Sequence, residues 1–166
     1  MTRWLVLYRH AKSDWSNRAC PDRERPLNER GQADRLRMAE ALAPRLAELQ
    51  AVACSPSLRT RLTLAPLIDR LPDVPVAYAD ALYEAPPSVL DAWLRTDAPA
   101  VERLLVVGHE YGLSQWARQL CPTLDADKIP TAGCLALELH GPTWADAREA
   151  RVLWFLSPKT LSGRLN

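Results

Sequence analysis

Near the N-terminus, residues 3–13 read RWLVLYRHAKS, an apolar run that ends abruptly in an arginine and a histidine. From Trp4 to Tyr8, five large apolar residues follow one another without polar alternation. Such a run is typical of a strand that is covered on both faces of a sheet. We therefore predict a buried strand over Arg3–Tyr8 that ends where Arg9 and His10 begin.

The rest of the chain alternates short apolar runs with segments of helical spacing. This alternation predicts an α/β fold, a three-layer α/β/α sandwich with a mostly parallel central sheet and one antiparallel strand. The last two runs alternate more strongly, so we expect them to pair antiparallel at the end of the sheet. Pro75 predicts an edge position for its strand, because proline cannot donate to a ladder. The predicted strands after the first are Ala51–Cys54, Val74–Tyr78, Arg103–Val107, Cys134–Leu139 and Arg151–Leu156.

Local signals predict where the helices begin and end. Asn28 is the predicted N-cap of the helix that follows the first loop. Ser55, followed by Pro56 at the first helical position, predicts a second helix that carries Arg59 in its opening turns. Pro66 is expected to break or bend this second helix.

Length, composition and charge limit the function classes. A chain of 166 residues with 48% apolar residues predicts a single domain over residues 1–166 with a buried core. The formal net charge is only +1, so no broad electrostatic field favours nucleic acid or an anionic membrane as a partner. Most of the 21 basic residues are arginines, whose planar guanidinium suits bidentate contacts to oxyanions.

No segment of the sequence resembles a targeting or membrane-spanning element. The run Trp4–Tyr8 is too short for a signal-peptide core or a membrane span, so we expect a cytoplasmic protein. The cysteines form neither a disulfide framework nor a metal-binding motif, and we expect free thiols, no metal and no cofactor. The four cysteines are Cys20, Cys54, Cys121 and Cys134.

Four polar side chains are expected to meet at one edge of the sheet. In open α/β sheets, ligands bind beyond the carboxyl ends of the strands. His10 and His109 each follow one of the two most apolar strands directly, so the two imidazoles converge if those strands are neighbours. Arg9 and Arg59 belong to the same edge. Residues 55–57 also place a helix N-terminus there, whose free amides favour an anion.

This combination of side chains predicts phosphoryl chemistry. Two guanidiniums and two imidazoles around one point would hold a phosphate, and a neutral imidazole is a natural acceptor of a phosphoryl group. The charge of the transferred group spreads over its equatorial oxygens, so fixed donors can stabilise it without a metal. The nearby arginines also lower the pKa of His10 from its usual value of about 6.5, which keeps its lone pair available. The sequence therefore predicts a phosphatase.

These motifs resemble those of the histidine phosphatase superfamily, whose fold is phosphoglycerate mutase-like. Arg9–Ser13 resembles its Arg-His signature, Ser55–Thr60 its second arginine motif, and Gly108-His109 its second histidine. Arg25–Gly31 and Phe155–Pro158 are similar to the small SixA-type phosphohistidine phosphatases within it. The resemblance spans nearly the whole chain, with the motifs in the family's order.

The resemblance implies a role for each matching residue. It implies that His10 is the nucleophile, that Arg9 and Arg59 bind the phosphoryl group, and that His109 makes a further phosphate contact. Ser13 is expected to add a hydroxyl contact.

Three other positions carry open alternatives. Glu84 is the first candidate for the proton donor and Glu110 the second, since a general acid must reach the leaving group. Glu110-Tyr111 departs from the Asn-Pro that relatives often have after the second histidine, and Glu110 could instead contact substrate. Arg25 either braces the pocket, contacts substrate, or belongs to a solvated charged loop.

The leading functional hypothesis is a metal-independent phosphohydrolase that forms a phosphohistidine intermediate and removes phosphate from phosphohistidine in a protein. A compact chain without a capping domain would leave the pocket open to a protein surface. One alternative is a phosphatase or mutase of small phosphorylated metabolites, which differs in the pocket walls. The alternative from another class is a catalytically silent module that binds a phosphorylated ligand. The expected partner is a phosphorylated protein or small phosphorylated substrate, with no nucleic acid and no membrane.

Overall fold

The computed structural model describes residues 1–162 as an α/β sandwich. Its strands are β1 (Thr2–Arg9), β2 (Ala51–Cys54), β3 (Val76–Tyr78), β4 (Arg103–Gly108), β5 (Cys134–His140) and β6 (Arg148–Leu156). Its helices are α1 (Glu29–Arg45), α2 (Leu58–Asp69), α3 (Pro87–Thr96), α4 (Gly112–Leu120) and α5 (Pro158–Leu161). Short 3₁₀ turns lie at Asp22–Glu24 and Asp80–Leu82.

The six strands form one sheet in the order β3-β2-β4-β1-β5-β6. The first four strands of that order run parallel, and β5 is antiparallel to both of its neighbours. The predicted fold class is confirmed, including the mostly parallel sheet with one antiparallel strand. The antiparallel pairing of the last two strands and the edge position of β3 are also as predicted.

The alternation of side chains along β1 divides the interior into two apolar layers. Leu5 and Leu7 lie on one face of the sheet with the buried residues of α3 and α4. Val6 and Tyr8 lie on the other face with those of α1 and α2. Both faces are covered, as the unbroken apolar run of β1 requires. Because all six strands belong to one sheet, we continue to propose a single domain.

One of the helix start signals acts as predicted and one does not. The Asn28 side chain caps α1 by accepting a hydrogen bond from the Gly31 backbone amide. The second helix begins later than predicted: Ser57 is its N-cap and Leu58 its first residue, so the prediction of Ser55 and Pro56 as its start was wrong. Pro66 does not break α2, which continues to Asp69. The later start leaves the Ser55 hydroxyl available to another partner.

Candidate active site

The two histidines meet because β1 and β4 are neighbours. The register pairs Arg9 with Gly108, and the His10 amide donates to the Gly108 carbonyl at 3.2 Å. The two imidazole rings therefore lie side by side, with 5.4 Å between their centroids. Both side chains are buried. The convergence predicted from the strand ends is present.

Within residues 1–162, the His10 ring forms a hydrogen bond through one of its two nitrogens. Its Nδ1 lies 2.7 Å from the Ala11 carbonyl oxygen, which can only accept a hydrogen bond, so we assign the proton to Nδ1. Burial lowers the pKa of His10 to about 4, and the charges of Arg59 and Arg9 act in the same direction, although the bond to Ala11 opposes them. At neutral pH the ring is uncharged, with its lone pair on Nε2.

His109 connects the histidine pair to α2. Its Nε2 lies 2.7 Å from the Ser55 hydroxyl, and its Nδ1 lies 3.3 Å from Nη2 of Arg59. Burial, followed by the positive charge of Arg59, lowers the pKa of His109 to about 3. The ring is therefore neutral at pH 7, and an anion bound beside it would favour its protonated form.

Arg59 is the most heavily bonded cation of the site. It lies in the first turn of α2 with a buried side chain, and its Nη1 donates to the Asp22 carbonyl at 2.7 Å. Its Nη2 donates to Oδ2 of Asp22 at 3.0 Å and to Oε1 of Glu84 at 2.5 Å. Nη2 has only two hydrogens but three acceptors around it, counting His109, so these acceptors compete. A phosphoryl group that reaches Nη2 must displace at least one of them.

Glu84 lies on the open side of the site. Its carboxylate is 3.4 Å from Nδ1 of His109, and the side chain is 45% exposed. The close approach of α4 brings this segment in, because a Cβ on Gly112 would lie 2.0 Å from the Ala85 carbonyl oxygen. Glycine at the start of α4 is thus required for the position of the segment that carries Glu84.

Arg9 approaches the site from the end of β1. Its Nη1 donates to the Ile129 carbonyl at 3.0 Å. Its Nε is buried and has no hydrogen-bond partner among residues 1–162. A buried donor without a partner is costly, and an oxyanion bound beside His10 is the kind of group that would satisfy it.

Comparison with known proteins identifies the family. Residues 5–90 match the family model of the histidine phosphatase superfamily (branch 1). The chain belongs to this superfamily. An uncharacterized protein of Mycobacterium tuberculosis is 35% identical over 147 residues, which cover 83% of this chain and 90% of that protein.

Solved structures of histidine phosphatases share the fold over most of the chain. SixA from Nakamurella multipartitia is 26% identical, with a TM-score of 0.78 over 95% of this chain and 97% of that chain. The protein histidine phosphatase SixA complexed with tungstate is 23% identical, with a TM-score of 0.77 over 95% of this chain and 99% of that chain. The protein is therefore a phosphatase of the histidine type.

Ser13 and Arg25 lie together in the segment between β1 and α1. The Ser13 hydroxyl accepts a hydrogen bond from Nε1 of Trp15 at 2.9 Å. The buried Arg25 guanidinium stacks on the Trp15 ring and donates to three backbone carbonyls of this segment, those of Asp14, Asn17 and Cys20. This geometry favours the bracing role for Arg25 over a direct substrate contact.

Glu110 is bound by backbone amides on both carboxylate oxygens. Oε1 accepts from the Ser114 amide and Oε2 from the Ile129 amide, each at 3.0 Å. Both of its carboxylate oxygens accept from backbone amides, whereas Glu84 contacts Arg59 and His109 directly. Of the two candidate proton donors, the geometry favours Glu84.

Sequence reasoning missed three residues that touch the site. Asp22 accepts from Arg59, and the Tyr83 hydroxyl donates to the same carboxylate. The Tyr83 ring packs edge-on against His109, with 5.4 Å between the ring centroids. Hydrogen bonds from Tyr83 and Arg59 lower the pKa of Asp22 and outweigh the opposing effect of burial. The third is Ser55, whose hydroxyl was assigned to a helix start.

The histidine pair should make the folded protein sensitive to acid. Both rings have folded-state pKa values, about 4 and about 3, below the usual 6.5, so the unfolded chain binds more protons in this range. Their contribution is complete above about pH 6.5 and is lost as the pH falls through the range down to about 3. We expect the free energy of unfolding, measured by urea denaturation, to be lower at about pH 5 than at about pH 7.

Single substitutions separate this effect from the titration of carboxylates. His109→Asn should reduce the difference between the two pH values, whereas His140→Asn, at an exposed position, should leave it unchanged. If the free energy of unfolding depended on pH equally in wild type and in His109→Asn, the lowered pKa of His109 would not be the cause of the acid sensitivity.

The described residues contain neither a metal-binding cluster nor a membrane-spanning helix. Among residues 1–162, no group of three or more His, Cys, Asp or Glu side chains is arranged to hold a metal ion. In the same part of the chain, no helix has the length and apolar character needed to cross a bilayer.

Proposed function

We propose that the protein transfers the phosphoryl group of its substrate to Nε2 of His10 and then to water. The observation that carries this proposal is the neutral His10 ring, whose Nδ1 bonds to the Ala11 carbonyl and whose Nε2 has no hydrogen-bond partner within residues 1–162. His109 and two guanidiniums surround that ring. A lone pair next to fixed cationic donors is the arrangement that phosphoryl transfer requires.

Each proposed residue has a defined part in the two steps. In the first step a bond forms between Nε2 of His10 and phosphorus, and the bond to the leaving group breaks. Arg9, Arg59 and His109 bind the phosphoryl oxygens, and Glu84, which must first take up a proton from solvent, gives that proton to the leaving group. In the second step water attacks phosphorus, the bond to Nε2 breaks, and a water proton returns to Glu84. Inorganic phosphate is the product.

We further propose that the substrate is phosphohistidine in a protein. Between β1 and α1, and between β3 and α3, the described chain forms one 3₁₀ turn each and no longer helix that would cap the site, and the Glu84 side chain at the site is 45% exposed. Two exposed aromatic side chains, Trp15 and Tyr111, lie on segments that carry site residues. Tyrosine and tryptophan are enriched where proteins contact one another.

Comparing substrates tests this choice. The rate of phosphate release should be measured with a small protein phosphorylated on histidine and with a panel of sugar phosphates. We expect kcat/KM to be at least about tenfold higher for the phosphohistidine protein, because its surface adds contacts outside the pocket. Faster cleavage of the sugar phosphates would favour the metabolite alternative, and transfer between positions of a sugar would indicate a mutase. Release from neither class would favour the silent binding module.

A further inference from the structure

Glu110 joins two parts of the fold behind the site. Its Oε1 accepts from the amide of Ser114 in the first turn of α4, and its Oε2 accepts from the amide of Ile129. Both bonds are 3.0 Å long. A carboxylate that accepts from two amides forms charge-assisted bonds, which are stronger than neutral ones. The side chain therefore fixes the segment before β5 to the start of α4.

The segment before β5 forms hydrogen bonds to both Arg9 and His10. The Ile129 carbonyl accepts from Nη1 of Arg9, and the Arg9 amide donates to the Gly133 carbonyl, both at 3.0 Å. The Ala132 amide donates to the His10 carbonyl, also at 3.0 Å. The segment 129–133 thus positions both residues, and within residues 1–162 the Ile129 carbonyl is the hydrogen-bond acceptor of the Arg9 guanidinium. The two peptide groups that flank the Ile129 Cα therefore contact Glu110 through the amide and Arg9 through the carbonyl.

We propose that Glu110 is a positioning residue, which orients the Arg9 guanidinium toward the bound phosphoryl group through the backbone of Ile129. The proposal depends on the proposed function in one respect, that Arg9 binds the phosphoryl group.

A double-mutant cycle tests whether Glu110 acts through Arg9. The dissociation constant of inorganic vanadate, a phosphoryl mimic, is measured by calorimetry for wild type, Glu110→Gln, Arg9→Ala and the double variant. Glutamine keeps the shape of the side chain but loses the charge and one acceptor. Glu138→Gln is the matched control, because that carboxylate is also half-buried and accepts a charge-assisted hydrogen bond, from Arg151, away from the site.

We expect Glu110→Gln to weaken vanadate binding about fivefold to tenfold, the effect of losing one or more charge-assisted hydrogen bonds. In the Arg9→Ala background the same change should alter binding by less than about twofold, since there is no guanidinium left to orient. The melting temperature of Glu110→Gln should stay close to that of Glu138→Gln. With substrate, KM should rise more than kcat falls.

Other results would overturn the proposal. An equal effect of Glu110→Gln in both backgrounds, or no effect in wild type, would mean that Glu110 does not act through Arg9. If Glu110→Gln does not fold, the cycle is repeated with Glu110→Asp, and failure of both variants to fold would assign Glu110 to stability alone. Vanadate binding does not require phosphoryl transfer. The cycle would therefore still test the role of Glu110 even if His10 proved not to be the nucleophile. Absence of vanadate binding by wild type would contradict the proposed function itself.

Discussion

Replacing His10 with alanine is expected to lower phosphate release by about 10³-fold or more, the size of effect seen when a covalent nucleophile is removed. No second imidazole can take its place, because both nitrogens of His109 already face Ser55 and Arg59. Steady-state assays with a general phosphatase substrate measure the loss. The affinity for vanadate should change far less than the rate, since both guanidiniums remain.

The fold should tolerate this substitution. The His10 ring forms its one hydrogen bond within the described chain to the carbonyl of the next residue, Ala11, so removing the ring breaks no long-range hydrogen bond. His140→Ala, at an exposed position, is the matched control and should keep wild-type activity. Activity of His10→Ala within about tenfold of wild type would show that another group accepts the phosphoryl group.

Replacing Arg59 with alanine is expected to lower kcat/KM by about 10² to 10³-fold, as the removal of a fixed donor to a developing oxyanion does. The buried guanidinium also holds Asp22, Glu84 and His109 around one nitrogen. Its loss leaves two carboxylates without their cation beside an incoming phosphate. The loss should therefore appear in KM as well as in kcat, and enzyme kinetics at several substrate concentrations separates the two.

Arg61 provides a control on the same helix. Its guanidinium stacks on Tyr78 and bonds to the Pro56 carbonyl, with an exposed side chain. Arg61→Ala should leave kcat/KM within about twofold of wild type. Arg59→Lys should recover only part of the activity, because lysine keeps the charge but not the planar fork. A comparable loss in the Arg59 and Arg61 variants would indicate a general effect of positive charge instead of a specific contact.

The fold was predictable because local and long-range signals agree. The unbroken apolar run before Arg9 specifies a strand covered on both faces, and the alternation with helices specifies parallel neighbours. Pro75 predicted the edge position of its strand, and β3 is an edge strand that begins one residue after this proline. The exact start of α2 was not predicted, because Ser55 and Ser57 are both good caps and the sequence does not distinguish them.

The four central site residues were predictable from position along the strands. His10 and His109 follow strands whose adjacency the α/β topology makes probable, and the two arginines are close to them in sequence or at a helix start. The contacts of Asp22 and Tyr83 were not predictable. They depend on how two irregular segments, at 22–24 and 80–84, fold against Arg59, and no periodic pattern encodes that approach.

Glu110 shows a second limit of sequence reasoning. Its place directly after His109 made it a candidate for proton transfer or substrate contact. Its hydrogen bonds go to amides 4 and 19 positions away, those of Ser114 and Ile129. Which backbone amides need a side-chain acceptor depends on the conformation of the loops, so these contacts become visible only in the structure.

The most direct test of the account is to identify the atom that carries phosphate during turnover. The protein is mixed with a labelled phosphodonor, quenched rapidly, and digested for mass spectrometry. We predict a phosphorylated peptide that contains His10, whose label is lost in acid and retained in base, and which is absent from His10→Ala. A label on any other residue, or turnover without a phosphorylated enzyme, would contradict the central claim.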